Sequence, residues 1–414
     1  MTSPAHPVVV IGGGIVGICC ALSLIETGTP TVLIEPDDPG QGASFGNAGI
    51  ISPWSVVPQS SPGIWKKVPG WLLKRDGPAS VSPAYALRLL PWLAAFLRAG
   101  TPHRVSEISK AMQLLNQDNI ALYRTHLAGT GHEDLIADSY YVHAYRNAAE
   151  ARPEAPEYAA RAALGAPIER IDAAELRALE PALSHDFQAA ILIKNQARAR
   201  DPGQIATVLA EKFQSLGGQI MRAKVMSLQR ETRWTITTDR GTVNAEKIVL
   251  SAGIWSADLL KPLGVKIPLA SERGYHIACP TPGVSLTHSV MDVQAKFVAS
   301  SMTMGLRAAG TAEFAPPNAP ANPARSNSIL RALRRMIPDI DTTDHTSWMG
   351  VRPSTPDSLP VIGATSQYPG LFMAFGHSHY GLMMAPKTGR VIADLVRDVR
   401  SNQNLTLLSP SRFS

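Results

Sequence analysis

The apolar and polar positions at the start of the chain follow the pattern of a β-α-β unit. Residues 8–11 read VVVI, a short unbroken apolar run that predicts a buried strand. Residues 15–27 are apolar on nearly every side, which is typical of a helix enclosed between two layers, and Gly28 is placed to end it. Residues 31–35, TVLIE, predict a second buried strand. The chain is therefore expected to begin as part of a parallel α/β sheet.

Later stretches show the same kinds of pattern at uneven intervals. Strands are predicted at 219–225, 234–238, 242–245, 247–251, 360–362 and 371–374, with alternating positions across 270–314. Helices are predicted at 85–98, 106–128, 148–164, 202–216, 329–336 and 382–399, with a short helical segment at 168–179. The polar tail from Ser401 is expected to be loose. Buried strands of the first type thus recur in three separate parts of the chain.

Three glycines join the first strand to the first helix in the order G-x-G-x-x-G, at Gly12, Gly14 and Gly17. Gly12 permits a tight turn, Gly14 leaves room for a pyrophosphate, and Gly17 lets the helix approach the strand. The helix N-terminus would direct N–H groups at the phosphates. Glu35 ends the second strand, where a carboxylate binds the ribose of an adenine dinucleotide and disfavours NADP. The alternative is an ordinary β-turn-α unit with an accidental glycine triplet.

Length and charge limit the class of protein. At 414 residues the chain exceeds one ordinary core, so two domains are expected. A net charge of +6 suits anionic substrates or an acidic membrane surface, and equally a solvated basic surface. No dense basic block with interleaved aromatic residues occurs, so nucleic acid is not indicated. The three cysteines, Cys19, Cys20 and Cys279, lack metal-site spacing and predict core thiols in a reducing compartment. We expect no secretory signal and no membrane-spanning segment.

Residues 54–97 are rich in tryptophan and proline. Their two apolar patches, 65–73 and 85–97, are accompanied by basic residues at Lys66, Lys67, Lys74, Arg75, Arg88 and Arg98. Such a mixture is typical either of core beneath a cap domain or of a helix lying in the interface of an anionic membrane. The sequence leaves both interpretations open.

Four further stretches carry a resemblance to a known family. They are a glycine-rich loop (42–49, GASFGNAG), a strand with its turn (248–256, IVLSAGIWS), a G-x-R-P motif (350–357, GVRPSTPD) and a second glycine turn (376–386, GHSHYGLMMAP). With the first unit, and in this order, they resemble the FAD-dependent D-amino-acid dehydrogenases of the bacterial type. That family lies in the group that also holds D-amino-acid oxidase, glycine oxidase and sarcosine oxidase. The resemblance extends over nearly the whole chain.

The resemblance implies an α/β fold with a Rossmann-like FAD-binding domain assembled from several segments, residues 1–54, 196–262 and 346–400. An α+β substrate (cap) domain with an antiparallel sheet would comprise 55–195 and 263–345, followed by a tail at 401–414. FAD is the implied cofactor. Its implied binding residues come from all of the FAD segments: Gly12, Gly14, Ile15, Val16, Gly17, Glu35, Gly42, Ala43, Ser44, Asn47, Ala48, Gly49, Ile50, Val225, Ser251, Ala252, Gly253, Trp255, Gly350, Arg352, His377, Tyr380, Gly381, Leu382 and Met383.

The same resemblance implies that Arg352 holds the carboxylate of an amino-acid substrate. A guanidinium is always charged and grips a carboxylate bidentately. The alternative is a structural ion pair with Asp357. Arg307 and Arg273 are weaker candidates for the carboxylate site.

Candidate acid–base groups lie close to these motifs. His377 and His379 flank the second glycine turn and could accept a proton or polarise the substrate, although one of them could instead bond to a backbone carbonyl. Tyr275 and His276 are candidates for the pocket wall, with a core or surface position as the alternative.

The expected activity is FAD-dependent oxidation of a D-amino acid, or of a cyclic imino acid such as a D-proline derivative, by hydride transfer to flavin N5. The expected partners are the small substrate and a quinone or other electron carrier, and the expected location is cytoplasmic, with peripheral contact to the inner membrane. Three alternatives stay open: an oxygen-using oxidase of the glycine or sarcosine type, a flavoprotein subunit of a larger amine dehydrogenase, and an NAD-only dehydrogenase.

Overall fold

The chain folds into both strands and helices. The computed structural model describes residues 7–66, 70, 77–400 and 402–413. Its strands are β1 (Val8–Ile11), β2 (Thr31–Glu35), β3 (Ile50–Ile51), β4 (Ala79–Val81), β5 (Ile136–Tyr145), β6 (Ile168–Asp172), β7 (Ala189–Ala199), β8 (Gln219–Arg222), β9 (Val225–Arg230), β10 (Trp234–Thr238), β11 (Gly241–Ala245), β12 (Ile248–Leu250), β13 (Ala270–Cys279), β14 (Ser289–Asp292), β15 (Phe297–Met302), β16 (Gly305–Phe314), β17 (Thr346–Ser354), β18 (Val361–Ala364) and β19 (Leu371–Phe375). They are joined by helices that include α1 (Ile15–Glu26), α2 (Pro83–Ala99), α3 (Pro102–Asn116), α4 (Asn119–Leu127), α5 (Pro156–Ala162), α6 (Ala173–Leu179), α7 (Pro202–Ser215), α8 (Ser256–Leu260), α9 (Pro323–Met336) and α10 (Gly381–Val396).

A six-stranded sheet contains both of the predicted N-terminal strands. Its order is β18-β19-β12-β1-β2-β8, and every pair is parallel except β18 with β19. Val10 on the central strand lies opposite Leu33 on one side and Val249 on the other, and all three are fully buried. Strands covered on both faces explain why these segments read as unbroken apolar runs instead of alternating ones.

Helix α1 packs tightly against β1 and α10. A side chain at Gly17 would place its Cβ 1.8 Å from the carbonyl oxygen of Gly12, and one at Gly389 would lie 2.3 Å from that of Cys19. Cys19 and Cys20 are wholly buried in this layer, and burial raises the pKa of both thiols. They are core residues, as predicted, and in the described part of the chain no group of acidic, His and Cys side chains could hold a metal ion.

A ten-stranded sheet forms the second large layer. The path β17-β13-β16-β15-β14-β5-β7-β3 accounts for eight strands, with β4 added beside β16 and β6 beside β7. Its pairs are antiparallel except β14 with β5 and β4 with β16. Helix α9 packs Ile329 and Leu333 against this sheet beneath Tyr275 and Ile277. A separate three-stranded sheet, β11-β10-β9, lies between β8 and β12 in the chain.

The fold is the α/β class that the sequence predicted, but some elements differ from the expected ones. Two long strands, β5 and β7, were not predicted, and the expected helix at 106–128 is two helices, α3 and α4. The expected strand at 219–225 ends at Arg222, after which β9 begins a different sheet. The division into an FAD-binding and a substrate domain stays a prediction. Residues 196–199 and 346–354, which it assigns to the FAD domain, lie in the ten-stranded sheet.

The C-terminal tail is packed against the sheet, so the expectation of a loose tail is wrong for the part that the structure describes. Leu408 is fully buried, and residues Pro410–Phe413 form a 3-10 turn. Arg412 Nε donates to Asp357 Oδ2 at 2.9 Å, and its Nη2 donates to the carbonyl of Leu359 at 2.7 Å. This ion pair removes Asp357 as a partner for Arg352.

The Trp-rich segment is partly described. Lys67, Lys74 and Arg75 lie outside the described residues. Helix α2 buries Leu89 and Trp92, and the indole of Trp92 donates to the carbonyl of Ser354 at 2.9 Å. Its opposite side exposes three large apolar side chains, Leu87, Leu90 and Leu97. Among the residues described, no helix has the length and apolar character needed to cross a bilayer.

Candidate active site

A cavity of about 1530 Å³ is lined by residues of both large sheets. This exceeds the roughly 300–1,000 Å³ of an ordinary small-molecule pocket and suits a dinucleotide together with a small substrate. The wall contains most of the predicted cofactor residues: Gly12, Gly14, Ile15, Val16, Glu35, Gly42, Ala43, Ser44, Asn47, Ala48, Ile50, Val225, Ser251, Ala252, Gly253, Trp255, Gly350, Arg352, His377, Tyr380, Gly381, Leu382 and Met383. Gly17 and Gly49 lie outside this wall.

The nucleotide end of the cavity is built by the glycine turn after β1. Gly12 has a φ of +104°, and a Cβ there would lie 2.5 Å from the carbonyl oxygen of Ser251. At Gly14, by contrast, a Cβ would meet nothing closer than the hydroxyl of Ser44 at 3.5 Å. Gly12 is therefore needed for the turn itself, whereas the space beside Gly14 is open to a ligand. That cradle fits the pyrophosphate of FAD at the start of α1.

Glu35 faces the same end of the cavity. Its Oε2 accepts a hydrogen bond from the backbone N–H of Gly13 at 2.5 Å, and burial raises the pKa of its carboxyl group. A carboxylate held here can accept hydrogen bonds from the ribose hydroxyls of an adenine nucleotide.

The glycine-rich loop 42–49 contributes six of its eight residues to the cavity wall. A Cβ on Gly46 would collide with the ring of Trp348, at 1.8 Å, so the loop backbone lies directly on that side chain. Arg307 is buried behind the loop, where its Nη1 donates to the carbonyls of Phe45 at 2.8 Å and Asn47 at 2.9 Å. Arg307 thus supports the loop and lies outside the cavity wall.

Helix α10 points its N-terminus at the cavity. Gly381, Leu382 and Met383 all line the wall and form the first turn, where the N–H groups have no partner within the helix. Its position is held by Tyr123, whose hydroxyl donates to the carbonyl of Leu382 at 2.6 Å. Free N–H groups and a positive dipole end suit a part of a ligand that carries negative charge.

Arg352 faces the cavity from β17, close to Glu272, which was not among the site residues predicted from the sequence. Its Nη1 donates to Oε1 of Glu272 on β13 at 3.1 Å. The same Oε1 also contacts Nε2 of His379, and Oε2 accepts from the hydroxyl of Ser354 at 2.6 Å. A Cβ at Gly274 would lie 2.2 Å from the guanidinium, so Arg352 extends across a glycine of the neighbouring strand. This arrangement, defined by Glu272, Arg352 and His379, is called the charged cluster below.

Glu272 is 2% exposed and lines the cavity. Burial by itself raises the pKa of its carboxyl group, but the His379 ring, the Arg352 guanidinium and the Ser354 hydroxyl outweigh it and lower that pKa to about 2. The carboxylate therefore stays ionised at any ordinary pH. In the sequence it is distinguished only as the single acidic residue of β13.

The other candidate side chains have structural partners. His377 lines the wall, but its Nε2 shares a hydrogen bond with the Thr388 hydroxyl at 3.0 Å, and burial lowers its pKa to about 3. Tyr275 lies on the far side of β13 and donates to Glu313 at 2.5 Å. The ring of His276 stacks on that of Trp348, with 5.1 Å between the ring centroids. Neither Tyr275 nor His276 lies in the cavity wall.

Arg273 is likewise remote from the wall. It is buried beside Glu313, with 3.5 Å between its Nε and the carboxylate, and its Nη2 donates to the carbonyl of Pro320 at 2.6 Å. Of the three predicted arginine candidates, only Arg352 reaches the cavity.

The chain matches known proteins over almost its full length. The model of the DAO family, described as FAD dependent oxidoreductase, matches residues 7–395. A D-amino-acid oxidase of Bradyrhizobium diazoefficiens is 34% identical, over 98% of each chain. A D-amino acid dehydrogenase of Rhizobium rhizogenes is 29% identical over 98% of this chain and 99% of the relative.

Two solved structures share the fold at lower sequence identity. Glycine oxidase from Geobacillus kaustophilus aligns with a TM-score of 0.77 and 22% identity over 99% of both chains. L-proline dehydrogenase from P. horikoshii aligns with a TM-score of 0.75 and 19% identity, over 99% of this chain and 98% of that one.

Proposed function

The chain belongs to the DAO family of FAD-dependent oxidoreductases, and we propose that it oxidises the α-carbon of a D-amino acid, with a cyclic imino acid such as a D-proline derivative as the nearest alternative substrate. In the proposed reaction the α-carbon gives up a hydride, for which bound FAD would be the acceptor at N5. The resulting imino acid hydrolyses to a 2-oxo acid and ammonia, or stays a cyclic imine. FAD supplies the redox chemistry, and the chain supplies orientation and charge.

The observation that carries this proposal is the position of Arg352. It is the one predicted carboxylate-binding arginine whose side chain lines the cavity, and it does so among the segments assigned to the flavin. Glu272 occupies Nη1, which leaves the remaining guanidinium N–H groups for a substrate carboxylate. The names of the relatives, D-amino-acid oxidase and D-amino acid dehydrogenase, favour the same class of substrate.

The cofactor assignments are part of the same proposal. The glycine turn at 12–17 would hold the pyrophosphate, Glu35 the ribose, and the backbone of Val225 the adenine end. The first N–H groups of α10, from Gly381 to Met383, would face the N1/O2 edge of the flavin, where the reduced ring carries negative charge.

The test is anaerobic bleaching of the bound flavin by a panel of D-, L- and N-methyl amino acids. We expect D-amino acids to bleach it fastest. Faster bleaching by N-methyl or L-amino acids would reject the proposed substrate class, and a colourless protein without flavin absorption would reject flavin chemistry altogether. Gel filtration of the isolated chain, combined with dye reduction, tests whether it acts without partner subunits.

The exposed side of α2 favours a second proposal, which concerns the electron acceptor. Leu87, Leu90 and Leu97 lie at spacings that place them on one side of the helix, and Arg88 and Arg98 border them. We propose that this surface rests on an anionic bilayer, where the apolar side chains insert and each basic residue adds about 1 kcal/mol. Docking there would bring the site close to membrane quinones.

Two measurements test the membrane proposal. The protein should co-sediment with anionic liposomes at low salt, and Leu87→Ser/Leu90→Ser should abolish this without changing flavin reduction. Turnover with a soluble quinone analogue should exceed turnover in air-saturated buffer. Faster turnover with oxygen and no co-sedimentation would make the protein an oxidase without a membrane surface, and would leave the amino-acid chemistry unaffected.

A further inference from the structure

Oxidation of an amino acid at its α-carbon raises a question of proton transfer. Near neutral pH the substrate amine is an ammonium group, whose nitrogen has no lone pair. The C=N bond of the product, however, forms from a lone pair on this nitrogen as the hydride leaves the α-carbon. A proton must therefore be removed from the ammonium group before or during hydride transfer, and a residue that accepts it contributes to the rate.

The charged cluster places a candidate acceptor beside the substrate carboxylate site. Nη1 of Arg352 and Nε2 of His379 contact the same atom, Oε1 of Glu272. In any α-amino acid the ammonium group is separated from the carboxylate by a single carbon. A substrate whose carboxylate binds the outer N–H groups of Arg352 can therefore direct its amine toward the neighbouring Glu272–His379 pair.

The contact with Glu272 also determines which nitrogen of His379 can act. Because the carboxylate only accepts hydrogen bonds, Nε2 carries the proton, and the lone pair of the neutral ring lies on Nδ1. A carboxylate bonded to the far nitrogen of an imidazole fixes its tautomer and stabilises the imidazolium that forms on protonation. His379 is about one-third exposed and lines the cavity, so its ring can reach a bound ligand.

We propose that His379, oriented by Glu272, accepts a proton from the substrate ammonium group at Nδ1. This inference rests on the proposed function, since it concerns the amino acid held by Arg352. In the step, one N–H bond of the ammonium group breaks and an Nδ1–H bond forms. The substrate is left as a neutral amine with its lone pair, and the His379 imidazolium is paired with the Glu272 carboxylate. The transfer of this one proton is the only movement of charge in the step.

The groups around His379 are consistent with this role. Glu272 from β13 and Arg352 from β17 face it, Ser354 bonds the second oxygen of the glutamate, and Tyr380 lies beside it with 6.4 Å between ring centroids. The positive charge of Arg352 is shared between Glu272 and the substrate carboxylate. The new charge on His379 is therefore balanced within the charged cluster.

The test compares the holoenzyme with His379→Gln and Glu272→Gln. Glutamine at 379 can still donate to Glu272 but cannot take up a proton. Flavin reduction is followed anaerobically at saturating D-amino acid over a range of pH. We expect His379→Gln to lose about tenfold in rate for each pH unit below the pH at which the free amine is neutral, and to approach the wild-type rate above it. Glu272→Gln should show the same trend more weakly.

A binding measurement separates proton transfer from simple positioning of Arg352. Isobutyrate has the carboxylate but no amine, and its affinity is obtained from thermal shifts of the holoenzyme. We expect His379→Gln to bind isobutyrate as wild type does. The exposed His185→Gln is the matched control, and neither its rate profile nor its binding should change.

Two outcomes would overturn the inference. One is a rate for His379→Gln that is reduced by the same factor at every pH or not reduced at all, and the other is a large loss of isobutyrate affinity in that variant. If no amino acid reduces the wild-type flavin, it is the proposed function that fails. Reduction of the wild type with a uniform profile in the variant rejects only the role of His379.

Discussion

Replacing Arg352 by alanine tests the carboxylate site most directly. The side chain holds Glu272 at 3.1 Å and extends across Gly274, so its removal affects two charges at once. The substrate loses a charge-assisted bidentate contact, which costs on the order of 2–4 kcal/mol, and Glu272 loses its arginine partner. The first loss alone corresponds to roughly 30- to 1000-fold in kcat/KM. Repulsion between Glu272 and the substrate carboxylate places our expectation near the upper end.

The second loss gives the experiment an internal control. The double variant Arg352→Ala/Glu272→Gln no longer has the carboxylate that Arg352→Ala leaves without its arginine. The affinity of the double variant for isobutyrate should therefore recover part of the affinity that Arg352→Ala loses. Arg352→Lys should recover only part of kcat/KM, because an ammonium group cannot donate two parallel hydrogen bonds from one plane. The assay is anaerobic flavin bleaching across substrate concentration, with isobutyrate binding beside it. A near-normal kcat/KM for Arg352→Ala would show that the substrate carboxylate binds elsewhere.

Three further predictions concern the cofactor site and stability. Gly14→Val should fold but purify without flavin, because the space beside Gly14 is bounded only by Ser44 at 3.5 Å; a full flavin complement in its absorption spectrum would contradict the pyrophosphate assignment. Arg412→Ala should lower the free energy of unfolding by about 3–5 kcal/mol, since it leaves the Asp357 carboxylate buried without its partner; an unchanged Tm would refute this. Burial raises the pKa of the Glu180 carboxyl group from 4.5 to about 7. Between these two pH values the native state binds more protons than the unfolded state, so the free energy of unfolding should fall as the pH rises from 4.5 to about 7. Glu180→Gln should flatten this decline in urea titrations, and an equally steep decline in the variant would refute the assignment.

The nucleotide end of the site could be predicted because its parts are contiguous. Strand, glycine turn, helix and Glu35 all lie within the first 35 residues, and each role follows from local geometry. A Cβ at Gly12 or Gly17 would lie 2.5 or 1.8 Å from the nearest backbone oxygen, so the tight turn and the close helix approach that the spacing predicted both require glycine. Unbroken apolar runs likewise predicted strands of the parallel sheet, since strands covered on both faces have no polar side.

The substrate end of the site could not be predicted in this way. It is formed by side chains of strands that are far apart in the chain, and its composition depends on the direction in which each side chain points. All ten residues of β13 are buried, so no alternation of polar and apolar positions shows which of them face the cavity. Glu272 faces it, whereas Arg273 and Tyr275 turn to the other side, toward Glu313.

The sequence by itself therefore determined the first β-α-β unit, because short-range spacing and backbone geometry suffice for it. Its resemblance to known proteins over nearly the whole chain indicated the family and FAD. The tertiary structure alone decided the partners of the charged groups. Arg352 pairs with Glu272, 80 positions away, and Asp357 pairs with Arg412, 55 positions away. Such pairings depend on strand register and on the path of the C-terminal tail. Neither can be derived from the local pattern of residues, because a buried charged group pairs with the oppositely charged group that tertiary packing places next to it.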